Sequence, residues 1–295
     1  MHKYLRAIGF SKFETRKELK ALLTEVVINA TSRAYTTGQD DVMLGEFCKD
    51  FAENMGIAVC GEFDEENDDK FIYDYYYPYL RGTGITTTED VSVERHAEKE
   101  SYAGVCDDVK VGVSLIFYLQ NRIPYVKAQA QGRLPIRGTT LTLSALSLKG
   151  NIMLPIKKDE YQKKKSQKES RNRSNLIAAA RRGDEEAIET LTLEDMDMYT
   201  LISRKIQKED VFSLVDTYCM PYGVECDQYS ILGEIMECRT IKNSLTGEEI
   251  YHMSIYCNEL TFDLCINTKD LYGEPQVGRR FKGIIWLQGF INFPE

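Results

Sequence analysis

Ser230-Ile231-Leu232-Gly233-Glu234-Ile235-Met236-Glu237-Cys238 reads as a β-strand interrupted by a glycine, and the residues around it repeat the pattern. Asn243-Ser244-Leu245-Thr246-Gly247 is a turn, after which residues 249–257 return as a strand carrying Ile250, Met253 and Ile255. Asn258-Glu259 turns again into Leu260-Thr261-Phe262-Asp263-Leu264-Cys265-Ile266. Beyond Leu271-Tyr272-Gly273-Glu274-Pro275, the run Gly278-Arg279-Arg280-Phe281-Lys282-Gly283-Ile284-Ile285-Trp286-Leu287-Gln288-Gly289 is strand once more. Four or five short strands with internal glycines predict a small OB-like β-barrel over 228–295, because glycine permits the bends that closure needs. A small open meander is the alternative.

Residues 1–156 read as an α+β domain. Ser11 and Glu14 have the spacing of a capping box, and Leu19, Leu22, Leu23, Val26, Val27 and Ala30 fall on one face of a helix over 12–30. Met43, Phe47 and Phe51 stand one helical turn apart and predict a second helix over 41–55, with Gly56 as its stop. Strands are expected over 57–63, 71–79, 91–102, 111–119 and 141–148. Short polar turns between them favour one antiparallel sheet, with the two helices covering a face. Residues 157–227 form the third region, a basic linker or exposed helix followed by short helices. Asp184 is a candidate cap there, and Thr192 with Asp195 a second capping box.

At 295 residues the chain has room for two domains or one elaborate one. No apolar run approaches the ~20 residues of a membrane span, and the first ten residues make a poor signal peptide, so a cytoplasmic protein is expected. Eight cysteines without a CxxC pair agree, since free cysteine in a reducing compartment behaves as a small core hydrophobe. With three histidines, at 2, 96 and 252, a zinc site has few ligands to draw on. No cofactor is expected.

The net charge of −9 hides a basic stretch. Residues 157–182 carry ten Lys/Arg, Lys163, Lys164 and Lys165 among them, against three acidic residues. With an OB-like barrel and its Arg279 and Arg280, that stretch raises nucleic-acid binding as a reading. Against it, residues 229–295 hold nine Asp/Glu and six Lys/Arg, so the barrel itself is slightly acidic.

In Phe71-Ile72-Tyr73-Asp74-Tyr75-Tyr76-Tyr77-Pro78-Tyr79 every odd position is aromatic, so Tyr73, Tyr75, Tyr77 and Tyr79 cover one face of a strand, as packing or as a binding surface. Glu94, His96, Glu98 and Glu100 share a face of another, more in keeping with a solvated edge than a metal or proton-transfer site. The acidic turn at 64–69 lacks the glycine and the bidentate glutamate of a calcium loop. No phosphate loop, nucleophile elbow or HExxH occurs.

The opening Met1-His2-Lys3-Tyr4-Leu5-Arg6-Ala7-Ile8-Gly9-Phe10 resembles the start of a family of uncharacterised proteins from anaerobic, largely gut-dwelling Firmicutes. So do Gly183-Asp184-Glu185-Glu186-Ala187-Ile188-Glu189 through Met198-Tyr199, Gly278-Arg279-Arg280-Phe281-Lys282-Gly283 and Ile285-Trp286-Leu287-Gln288-Gly289. The resemblance, to a domain of unknown function, spans essentially the whole chain; it implies a bacterial cytoplasmic protein and carries no catalytic residues. The expectation is therefore a non-enzymatic interaction or scaffold protein whose partner is a protein or a second copy of itself. A nucleic-acid-associated factor, or an enzyme with a site near His96 or His252, are the alternatives.

Overall fold

The structure is a computed structural model and describes residues 1–38, 42–64, 67–95, 101–108, 114–134, 138–156, 160–205 and 210–294. After a 3-10 stretch, Lys3–Ile8, comes helix α1 (Arg16–Ile28). Its capping box is Thr15 with Glu18, one turn later than the pair expected from sequence. Ser11 instead donates to Glu248 Oε1 across the molecule, at 2.7 Å.

Strands β1 (Ser32–Thr37), β2 (Met43–Ala52), β3 (Met55–Asp64) and β4 (Asn67–Leu80) form a four-stranded antiparallel meander. The helix expected over 41–55 is thus strand β2. Met43, Phe47 and Phe51, four apart, fall on one side of a strand as readily as on one side of a helix. Cross-strand rings arbitrate, for Phe47 packs edge-on against Tyr35 of β1 and Phe71 of β4.

The remaining strands make a second sheet, with β5 (Val91–Arg95), β6 (Tyr102–Cys106) and β7 (Leu115–Leu119) at one end. Helix α2 (Arg122–Ala130), which the sequence reading missed, packs beside β1 and β2. The antiparallel sheet therefore has two helices against it, α1 and α2. Then follow β8 (Thr140–Met153), helices α3 (Glu160–Arg181), α4 (Glu185–Lys205) and α5 (Val211–Leu214), and strands β9 (Tyr218–Pro221), β10 (Gln228–Lys242), β11 (Glu249–Cys257), β12 (Leu260–Asn267), β13 (Leu271–Tyr272) and β14 (Arg280–Asn292).

Strands β8, β12, β11, β10 and β14 close into a five-stranded barrel. Four joints are antiparallel; β8 on β12 is parallel. The fold is α+β with a small barrel, four of whose staves come from the C-terminal region. The fifth, β8, comes from residues 140–153. The strand expected over 141–148 thus belongs to the barrel and not to the N-terminal sheet, and β14 pairs with it over thirteen positions.

Two apolar cores result. One fills the barrel with Leu141, Leu143, Ile231, Ile255, Leu264, Phe281 and Ile285 and continues under α2. The other lies between the barrel's outer wall and the four-stranded sheet, joining Tyr77, Tyr79 and Leu80 to Leu146, Cys265 and Trp286, with the N-terminal Tyr4, Leu5 and Ile8 wedged in. The barrel glycines serve packing more than bending. A Cβ at Gly289 would stand 2.3 Å from the Phe117 ring, and one at Gly104 2.1 Å, so the two glycines make the slot that this ring fills.

Candidate functional site

Of the ring-bearing strand, Tyr75, Tyr77 and Tyr79 are buried in the second core and Tyr73 is 47 % exposed. A bulge where β3 residues 60 and 61 meet Tyr75 and Tyr73 breaks the alternation between them. Tyr77 donates to the Gln120 carbonyl at 2.9 Å, Tyr79 donates to Asp50, and Arg122 lies over the Tyr75 ring at 5.3 Å. Burial pushes the Tyr75 and Tyr77 phenols well above their ordinary value. These three tyrosines hold sheet to barrel; they do not line an open groove.

Beside them sits a buried carboxylate. Glu46 Oε2 stands 3.4 Å from the Tyr77 hydroxyl and 3.6 Å from Cys60 Sγ, and Cys48 Sγ is 3.8 Å from Oε1. Burial raises the Glu46 carboxyl, and the nearby Arg122 pulls it only partly back. The same burial pushes the Cys48 thiol up to about 12, which makes it a poor nucleophile.

His252 gathers the most reactive-looking constellation. Arg239 Nε donates to His252 Nδ1 at 3.1 Å, which requires a lone pair there and puts the ring proton on Nε2. That nitrogen faces Asp263 Oδ1 at 3.4 Å, at the long end of hydrogen-bond range. Asp263 Oδ2 accepts from the Thr83 amide at 2.7 Å and hydroxyl at 2.8 Å, and Arg239 continues to Glu53 at 2.8 Å. Burial alone would raise the Asp263 carboxyl; the His252 ring and the Thr83 donors outweigh it and leave it below the usual range. The chain of contacts has the parts of a general base and its orienting acid. Yet His252 is 4 % exposed and lines neither the cleft bordered by Tyr251 and Pro275 nor the one bordered by Phe212 and Arg280. It straps the β2–β3 turn and the segment after β4 to the barrel wall. His96 lies outside the described residues.

Arg280, expected on a basic surface, is 6 % exposed. Its guanidinium donates to the carbonyls of Leu154, Phe212 and Val215 at 2.8–3.0 Å. Leu154 precedes α3, and Phe212 and Val215 follow α4, so one arginine clasps both ends of the α3–α4 hairpin. Arg279 donates to the Glu274 carbonyl. The basic segment is helix α3; Lys163, Lys164 and Lys165 lie within it, and their side chains are outside the described residues. Gly183, at φ +87°, ends it, and Asp184 Oδ1 accepts from the Ala187 amide to cap α4. Thr192 opens no new helix. Its hydroxyl donates to the Ile188 carbonyl and α4 runs on.

The hairpin is anchored at its turn by Ala187, 4 % exposed, and by Arg181, which donates to the Asp107 carbonyl. Beyond that anchor α4 comes away from the body. Every residue from 192 to 200 is exposed, including Leu193 at 57 %, Met196 at 63 %, Met198 at 49 % and Tyr199 at 77 %. Among the described residues no group of three or more His, Cys, Asp or Glu is placed to hold a metal, and no helix is long and apolar enough to cross a membrane.

Residues 5–289 match the family profile described as "Domain of unknown function, E. rectale Gene description (DUF3881)". The chain belongs to that family. No curated protein and no solved structure matches it. For this member of DUF3881, the two features that stand out are thus the closed His252 strap and the open face of α4.

Proposed function

We propose that this DUF3881 protein is a non-enzymatic, cytoplasmic, bacterial protein-interaction protein, with the barrel and sheet as scaffold and the α3–α4 hairpin as docking element. The observation that carries the reading is the run of exposed Leu193, Met196, Met198 and Tyr199 on one helix. Covering such side chains contributes ~1.5–3 kcal/mol each when burial is complete.

The family's naming after E. rectale supports the bacterial source. Five cysteines buried as free thiols fit a reducing compartment. The nucleic-acid reading is weaker, because Arg280 is engaged by backbone carbonyls and Arg173 of α3 by Asp195 and Glu194 of α4.

Cross-linking of the full chain in cells, with the linked sites mapped, tests the reading. Cross-links to another polypeptide should concentrate on α3 and α4 and disappear in the double variant Met196→Glu, Tyr199→Glu. Cross-links confined to the sheet or barrel, or unchanged in the variant, sink it. Salt-sensitive binding of single-stranded RNA by the purified chain would favour the basic helix as a nucleic-acid contact instead.

A further inference from the structure

We propose that the partner covering α4 is the hairpin of a second copy of this chain, the two hairpins forming a four-helix bundle about a two-fold axis. The inference rests on reading the hairpin as the docking element and adds the identity of the occupant.

Charge chooses the occupant. Helix α3 carries seven Lys/Arg against two Glu, and α4 carries six Asp/Glu against two Lys/Arg. A hairpin with one strongly basic and one strongly acidic helix is its own electrostatic complement. In a two-fold pairing whatever α4 meets on its partner, the partner's α4 meets here. The apolar residues Met196 and Tyr199 can then meet their copies near the axis, while the acidic flank of each α4 lies along the basic α3 of the other. Within one chain the same attraction is visible where Arg173 reaches Asp195 at 2.7 Å. A partner of uniform charge would satisfy one helix and repel the other.

At ~1.5 Å per residue the exposed run 192–200 is ~14 Å long, so the pairing is a contact at the low end of interface sizes. Both ends of the hairpin are held in advance, by Arg181 at the turn and Arg280 at the open end, so little ordering accompanies association.

Light scattering and sedimentation of the purified full chain, over a concentration series, test the inference. The expected wild-type species has twice the 33.9 kDa chain mass, and Met196→Glu, Tyr199→Glu should return it to one chain with an unchanged far-ultraviolet circular dichroism spectrum. A second pair of variants reads the charge pairing. Glu189→Lys with Asp197→Lys, and Lys164→Glu with Lys168→Glu, should each weaken the dimer, while mixing the two should restore a heterodimer.

A wild-type chain that is monomeric at every concentration, or a dimer indifferent to the Met196/Tyr199 change, overturns the proposal. Failure of the mixture to recover a dimer overturns the placing of α3 on α4. If the chain is monomeric yet the hairpin still cross-links to a different polypeptide, self-pairing falls and the docking element stands. If neither is seen, both fall.

Discussion

Gln120 Nε2 donates to Gln288 Oε1 at 2.9 Å, joining two residues 168 apart in sequence at the place where the four-stranded sheet meets the barrel. Gln288 is fully buried. Its Nε2 donates to the Pro78 carbonyl at 2.8 Å, and its Oε1 also accepts from the Leu80 amide at 3.2 Å. Gln120 completes the knot by donating to the Leu80 carbonyl at 2.8 Å. The end of β4 thus bonds to side chains from β14 and from the residue after β7, not to a neighbouring strand alone.

Replacing Gln288 by Leu leaves the Leu80 amide and the Pro78 carbonyl buried without this partner. Each such group costs ~1–3 kcal/mol, so Gln288→Leu should lower stability by about 3 kcal/mol in urea unfolding. Because the knot joins both cores, sheet and barrel signals should shift together. A loss below the error of the measurement would show the contact to be energetically idle.

The Glu46 carboxyl is raised by burial, so the folded chain holds that proton more tightly than the unfolded chain does. The stability it contributes is present below the unfolded value of ~4.3 and falls as pH rises through the folded value. Glu46→Gln keeps the shape and removes the titration. Urea unfolding of the two proteins from acidic to neutral pH should show the wild type losing stability relative to the variant as pH rises. Parallel profiles would contradict the assignment.

Trp286, the sole tryptophan, stacks on Tyr4 at 5.1 Å and donates to Asp227 Oδ2 at 2.6 Å. Tyr4 is 3 % exposed in the wedge formed by the first ten residues. Truncating a buried aromatic ring costs ~3–5 kcal/mol. Tyr4→Ala should therefore destabilise by about that amount and shift the tryptophan emission to the red as water reaches the indole. Unchanged emission would mean that the N-terminal wedge does not shield it.

The cap at Asp184, the stop at Gly183, the turn at 243–247 and the strands β3, β10, β11, β12 and β14 were legible in the residues. Each rests on a local signal: a period of two, a glycine at positive φ, or an acid one turn before an amide. Strand β2 was not legible, because a four-residue spacing of large apolar side chains satisfies both periods. Helix α2 was missed, since Ile123 and Val126 give too short a pattern to announce one. The candidate surface was half legible. Met196 and Tyr199 stand about one helical turn apart in the sequence, and nothing local says that the body leaves them uncovered.

Sequence by itself determined the barrel's four C-terminal staves, α1 and the aromatic strand, because neighbouring residues carry the alternation or the cap that makes each element. Only the tertiary structure decided that β8 closes the barrel and that Tyr75, Tyr77 and Tyr79 are buried beneath it. It also made Arg280 a clasp where a phosphate contact was expected. The physical reason is range: local patterns set what an element is. Which apolar faces cover one another, and which carbonyls a guanidinium reaches, depends on chain segments more than sixty residues away.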